Sequence, residues 1–261
     1  MVALPLTSLQ AGETLGGVPL LVLHGLFGSA RNWNQLLKRF GARRPAMALD
    51  MRNHGESPWD SAMGYPDMAA DLLRFMDDRG IARADVLGHS MGGKAAMTLA
   101  LLHPDRVRRL VVADIAPVTY GHSHAPYVAA MRAARLDGIT RRAEVEAQLA
   151  DAVPSPSMRS FLAQNLTLDH GAFRWRLNLE AIDAAMDTLI GFPDLSGRSF
   201  AGSSLFVGGG RSDYLAPETV PAVRRYFPAA RIEMIPDAEH WLHVEKPDAF
   251  MAVVDAFLDQ P

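Results

Sequence analysis

Val86-Leu87-Gly88-His89-Ser90-Met91-Gly92-Gly93 is the stretch that decides how this chain is read. It reads as a buried strand from Ala84 to Gly88, a tight turn, and a helix from Met91 to Leu102, with Ser90 at the corner. A serine hydroxyl is a weak nucleophile at neutral pH. It needs exposure, a base within hydrogen-bond reach and donors for the oxyanion that its attack creates. A strained strand-to-helix turn supplies the exposure, and the helix N-terminus turns a backbone N–H toward developing negative charge. Gly88 and Gly92 fit that turn because strand and helix pass too close there for side chains. The bare G-x-S-x-G pattern arises by chance in roughly one chain in ten to twenty at ordinary glycine usage, so its weight comes from the strand and helix around it.

Working outward, apolar runs at Pro19 to Leu23, Ala46 to Met51, Arg109 to Ile115, Ser204 to Val207 and Arg231 to Ile235 read as strands covered on both faces. Residues 2–17 leave room for one or two edge strands. Helical patterns alternate with these runs: Asn32 to Phe40, Pro66 to Arg79 and Pro217 to Tyr226. In the second of them Met68, Leu72, Phe75 and Met76 share a face, and a last helix carries Phe250, Val253, Val254, Phe257 and Leu258 on one stripe. This alternation predicts an α/β fold, a mostly parallel sheet flanked by helices with right-handed crossovers. The alternation stops at Pro117. From 118 to 200 there are helix-like segments and no convincing buried strand. The expected organisation is therefore a core of residues 1–117 and 201–261, with 118–200 as a helical lid inserted after the sixth strand.

Composition narrows the function. With 49% hydrophobic and 21% charged residues the chain is an ordinary globular protein, and a net charge of −3 gives no reason to expect nucleic acid as a partner. The absence of cysteine excludes disulfides, a thiol nucleophile and thiolate metal sites, and fits a reducing compartment. Met1 to Pro5 shows no basic leader, and no run of about 20 apolar residues could span a bilayer. A cytoplasmic protein without stable membrane association is the expectation. Oligomeric state is not legible.

In open parallel sheets ligands bind beyond the C-terminal ends of the strands. Polar clusters stand at such ends: His24 to Gly28, Ser90, Asp114 and the Arg211-Ser212-Asp213 turn, with His240 after the last strand. His240 is the expected base. Leu26 and Met91 are the expected oxyanion donors, and His24, Phe27 and His89 are expected beside the substrate, His24 also tying loops together and His89 propping the elbow. His243 reads as a residue that packs or hydrogen-bonds within the same loop as His240, and His54 as a turn-holder near the site. His122 and His124 have chelating spacing but read as a lid entrance, so no metal is expected. Met131, Met158 and Met186 could line an adaptable pocket or simply fill core. Two carboxylates compete to orient His240. Asp213 sits on a turn where a solvated residue costs nothing, whereas Asp114 closes an apolar strand and is costly there unless paired. The reading favours Asp114 and keeps Asp213.

These motifs together resemble the α/β-hydrolase superfamily. In particular they resemble the bacterial and mitochondrial serine esterases with His-Gly-Leu-Phe-Gly-Ser, Asp-x-Arg-Asn-His-Gly, Gly-His-Ser-Met-Gly-Gly and Gly-His-Trp-x-His. Here these stand at His24 to Ser29, Asp50 to Gly55, Gly88 to Gly93 and Glu239 to His243, with Glu239 in place of the glycine. The order Ser, Asp, His is that of the superfamily. Such esterases also carry Asp-Ile-x-Pro as at Asp114 to Pro117, often without an aspartate at the later turn. The resemblance implies cofactor-free hydrolysis of short acyl esters, small molecules being the partners, through Ser90, His240 and one acid with an acyl-enzyme intermediate. Thioesterase, lactonase, C–C hydrolase and perhydrolase chemistry share the fold, as does a non-catalytic ligand receptor. A dehalogenase or epoxide hydrolase needs a carboxylate where Ser90 stands.

Overall fold

The structure is a computed structural model, and it describes residues 2–260. Met1 and Pro261, the outer ends of the expected core and the start of the segment read as lacking a leader, lie outside the described residues. The strands are β1 Ser8–Ala11, β2 Leu20–Leu23, β3 Ala46–Leu49, β4 Ala84–His89, β5 Val107–Ala113, β6 Leu166–Asp169, β7 Ala172–Trp175, β8 Ser203–Gly209 and β9 Arg231–Ile235. Seven of them form one sheet in the order β1-β3-β2-β4-β5-β8-β9. Only β1 runs antiparallel, against β3; the remaining pairs are parallel. β2, β4 and β5 sit inside the sheet with almost no exposed residue, which is why their sequences are apolar runs rather than alternations.

Each central strand sends alternate side chains to two cores. Leu20, Val22, Leu87, Val111 and Val207 face one layer. It is built by α1 (Asn34–Gly41) and by the C-terminal helix. Leu21, Leu23, Val86, Leu110, Val112 and Phe206 face the other, with α2 (Tyr65–Asp77) and α3 (Met91–Leu102). α3 is buried almost all round, because it lies between the sheet and α2 and the chain between β5 and β8 covers Lys94 with Ile190 and Gly191. That inserted segment holds α4 (Ala125–Ala133), α5 (Arg142–Gln148), α6 (Pro156–Ala163), α7 (Leu179–Ala184) and α8 (Met186–Ile190). α9 (Val220–Tyr226), α10 (Leu242–Glu245) and α11 (Pro247–Leu258) complete the chain.

Two expectations are corrected. The insertion follows the fifth strand, not the sixth, since residues 2–17 form one strand only. The insertion also contains a β-hairpin, β6 with β7, turning through His170 and Gly171 at φ 47° and 85°. Its strands have only four residues each and are half exposed, so no buried apolar run announces them. Among the described residues no helix is long and apolar enough to cross a membrane.

Candidate active site

The site is built at the C-terminal edge of β2, β4, β5 and β8. β4 passes into α3 through Ser90, held at φ 52° and ψ −118°. A side chain in that conformation is strained, and such strain concentrates at functional turns. The glycines beside it explain themselves sterically. A Cβ on Gly88 would lie 2.1 Å from the Gly92 carbonyl oxygen, and one on Gly92 would lie 2.6 Å from the carbonyl oxygens of His24 and Leu23. Ser90 N–H donates to the Ala113 carbonyl at 3.1 Å, pinning the elbow to the end of β5.

His240 comes from the loop after β9. Its Nε2 lies 3.1 Å from Ser90 Oγ and its Nδ1 lies 2.8 Å from Asp114 Oδ2. Asp114 is fully buried at φ 50°, and its carboxylate has further donors. Gly209 N–H donates to Oδ1 at 2.9 Å and Ser212 Oγ–H to Oδ2 at 2.5 Å. Three donors offset the cost of burying this carboxylate, which would be large if it were unpaired. Asp213 is exposed on the same turn and makes none of these bonds. Its neighbour Ser212 reaches Asp114 instead, because β5 and β8 are adjacent and parallel.

Packing fixes the His240 ring. Tyr214 stacks on it with centroids 4.0 Å apart at 21°, and His89 lies 4.6 Å away. His89 Nε2–H donates to the His240 carbonyl at 2.9 Å, so His89 props the loop rather than the elbow alone. His243 stacks on Trp33 at 4.3 Å with both rings buried, in agreement with its reading as a packing residue. Glu239 is exposed with a negative φ, and its N–H donates to Glu245 Oε2 at 2.8 Å; no glycine is needed there.

The loop after β2 carries Leu26 and Phe27. Phe27 is held at φ 63°, and three bonds keep it there. Its N–H donates to His54 Nε2 at 3.2 Å, its carbonyl accepts Asn165 Nδ2–H at 2.8 Å, and Gly28 N–H donates to the Gly25 carbonyl at 2.9 Å. Since His54 Nε2 accepts, its Nδ1–H donates to the Arg52 carbonyl at 2.8 Å. His24 repeats the arrangement: Nε2 accepts Met51 N–H at 2.9 Å and Nδ1–H donates to the Gly25 carbonyl at 2.8 Å. Both rings are thus neutral bridges between two loops, with no nitrogen left for substrate. The Asp50 to Gly55 motif anchors them. Asp50 accepts from Ala30 N–H and Glu56 N–H at 2.7 and 2.9 Å, and Arg52 pairs with buried Asp71 at 2.6 Å.

Burial holds the His24 and His54 rings below their ordinary pKa, His54 at about 3. The unfolded chain therefore takes up protons below about pH 6.5 that the folded chain refuses. Stability from these rings is complete above that pH and is lost as pH falls toward 3. Calorimetric Tm should fall on going from pH 7 to 4.5, and less steeply in His54→Gln, whose amide oxygen can still accept from Phe27. An equal slope in both proteins would place the acid sensitivity elsewhere.

Two cavities meet at Ser90, Leu26 and His124. One, of about 30 Å³, runs under the insertion between Met91, Tyr120 and Ile190. The other is an open cleft of about 750 Å³ bordered by Phe27, Trp33, Met158, Phe161 and Trp241. His24 and His89 edge this cleft, so both stand beside the site although their polar atoms are engaged. Of the methionines singled out, Met158 borders the cleft, while Met131 and Met186 are core residues. His122 Nε2 meets the Tyr214 hydroxyl at 2.6 Å, and among the described residues no cluster could hold a metal ion. Ser212 enters the sequence reading only as part of the turn around Asp213, and Tyr214 does not enter it. A serine one position from a conspicuous aspartate carries no signal of its own.

Comparison with known proteins matches this architecture. The family model described as alpha/beta hydrolase fold matches residues 18–247. The sn-1-specific diacylglycerol lipase ABHD11 of Danio rerio is 40% identical over 249 residues, covering 92% of this chain and 78% of that protein. Esterase YbfF of Escherichia coli is 34% identical over 242 residues, covering 92% and 93%. A solved structure of a marine microorganism esterase superposes with a TM-score of 0.93 at 33% identity, covering 98% of this chain and 100% of that one. The chain belongs to the α/β-hydrolase family, and within it is a serine hydrolase of the esterase kind.

Proposed function

We propose that this protein hydrolyses carboxylic esters with short acyl groups through Ser90, His240 and Asp114. The observation that carries the reading is the unbroken relay from Ser90 Oγ to His240 Nε2 at 3.1 Å and from His240 Nδ1 to Asp114 at 2.8 Å. His240 takes the Ser90 proton as the oxygen attacks the ester carbonyl. Asp114 holds the ring in the tautomer that leaves Nε2 free to accept, and stabilises the imidazolium that results. The oxyanion is met by the N–H groups of Leu26 and Met91, each donor of this kind contributing roughly a hundred- to thousand-fold in rate. His240 then protonates the leaving alcohol, and water enters by the same path to release the acid and restore Ser90.

The unequal cavities support the size preference. In this reading the acyl group enters the small cavity beside Met91 and the alcohol portion takes the open cleft. The inserted segment acts as the lid, covering α3 and closing the small cavity with Ile190. The opposite orientation would place a long acyl chain in the cleft, a reading favoured by the relatives named diacylglycerol lipase. Measuring kcat/KM on acetyl, butyryl, octanoyl and palmitoyl esters of one alcohol decides between them. Acetyl or butyryl is expected to be best, and a maximum at palmitoyl reverses the assignment of the two cavities.

A further inference from the structure

Lys94 lies one helical turn beyond Ser90 and is 1% exposed. Its Nζ donates to the Ile190 carbonyl at 2.7 Å and the Gly191 carbonyl at 2.5 Å, and it stands 4.8 Å from the Tyr120 ring centroid. Among the described residues no carboxylate comes within 4.0 Å of it. A buried ammonium normally has a counter-ion, because carbonyl dipoles and an aromatic face offset only part of the hydration it has given up. Burial accordingly pushes the Lys94 pKa down to about 7. Near neutral pH the group is thus poised between amine and ammonium, and an incoming carboxylate would hold it as the ammonium; it lines the same 30 Å³ cavity as Ser90.

Resting on the esterase reading, we propose that Lys94 makes this cavity an anion-accepting acyl subsite, so that the preferred substrates are monoesters of short dicarboxylic acids. The ester carbonyl sits at Ser90, and the free carboxylate at the far end of the acyl group completes the ion pair that the fold leaves open. An ammonium has three N–H groups, and two are engaged by carbonyls, leaving one for the incoming oxygen. The cost of dehydrating the lysine is already met in folding, so only the substrate carboxylate has still to be desolvated. The resulting charge-assisted bond is about twice as strong as a neutral one. An apolar acyl group of the same shape gains nothing from Lys94. The remaining walls contributed by Tyr65, Ile115, Tyr120 and Leu189 bring no competing carboxylate.

The test compares monomethyl succinate with methyl 4-methylpentanoate, whose branched end has the shape of the carboxylate without its charge. Methanol release gives kcat/KM for each on the wild-type protein and on Lys94→Met. The wild type should favour the hemisuccinate by tenfold or more, and that ratio should fall at least tenfold in the variant. A wild-type preference for the neutral ester overturns the proposal whether or not the variant folds. So does an unchanged ratio in a variant with lowered Tm, which would make Lys94 a tie between α3 and the insertion and nothing else. Failure of the esterase reading looks different: neither ester is hydrolysed.

Discussion

Ser90→Ala is expected to lose ester hydrolysis by several orders of magnitude in kcat while the circular dichroism spectrum stays that of the parent. In the proposed mechanism the Ser90 oxygen is the reacting atom, and removing the nucleophile alone costs about as much as removing the whole relay. The fold should survive for equally local reasons. The hydroxyl's hydrogen bond goes to His240, and alanine keeps the Cβ, so the strain at φ 52° is unchanged. The backbone bond from residue 90 N–H to the Ala113 carbonyl also remains. Steady-state turnover on the short-chain esters, run beside far-ultraviolet spectra, checks both halves. A folded variant keeping more than about a tenth of the parental kcat would remove Ser90 from the nucleophile's role.

Asp114→Asn should depress kcat by up to about ten-thousand-fold, and Asp213→Asn should leave it near the parental value. Asparagine at 114 replaces one acceptor oxygen with an NH₂ group. The Gly209 N–H cannot turn away from the Oδ1 position, so the amide oxygen stays there and the NH₂ takes the Oδ2 position, where both the Ser212 hydroxyl and His240 Nδ1–H meet a donor. His240 escapes the clash by moving its proton to Nε2, where it can no longer accept from Ser90. Asp213 is exposed and touches none of these groups, so its charge is screened by water. The measurement is kcat for the two single variants and the double variant at one pH. A crippled Asp213→Asn beside a near-normal Asp114→Asn would transfer the acid's role to the later turn.

The two carboxylates show where sequence reasoning reaches its limit. Each ends or follows a strand whose C-terminal end faces the site, and strand ends alone do not say which side chain turns inward. The cost of burying an unpaired carboxylate tilted the reading toward Asp114, and in the structure that cost is met by three donors from separate parts of the chain. Two of the three come from residues 209 and 212, nearly a hundred positions away. Nothing in local sequence marks them as its partners. The same holds for Lys94. In sequence it continues a small-residue helix after Gly93, and only the insertion, through the Ile190 and Gly191 carbonyls, makes it a buried lysine in the cavity beside Ser90.

What the sequence determined by itself was everything that depends on short-range sterics and periodicity. Gly88, Ser90 and Gly92 specify the elbow because strand, turn and helix are contiguous and the clashes lie within five residues. The apolar runs specify buried strands because a sheet covered on both faces cannot carry alternation. Tertiary structure alone decided the acid's partners, the neutral bridging of His24 and His54, the β6–β7 hairpin and the setting of Lys94. Each of these depends on which distant segments become neighbours, and a polar side chain's chemistry is set by those neighbours rather than by its own identity.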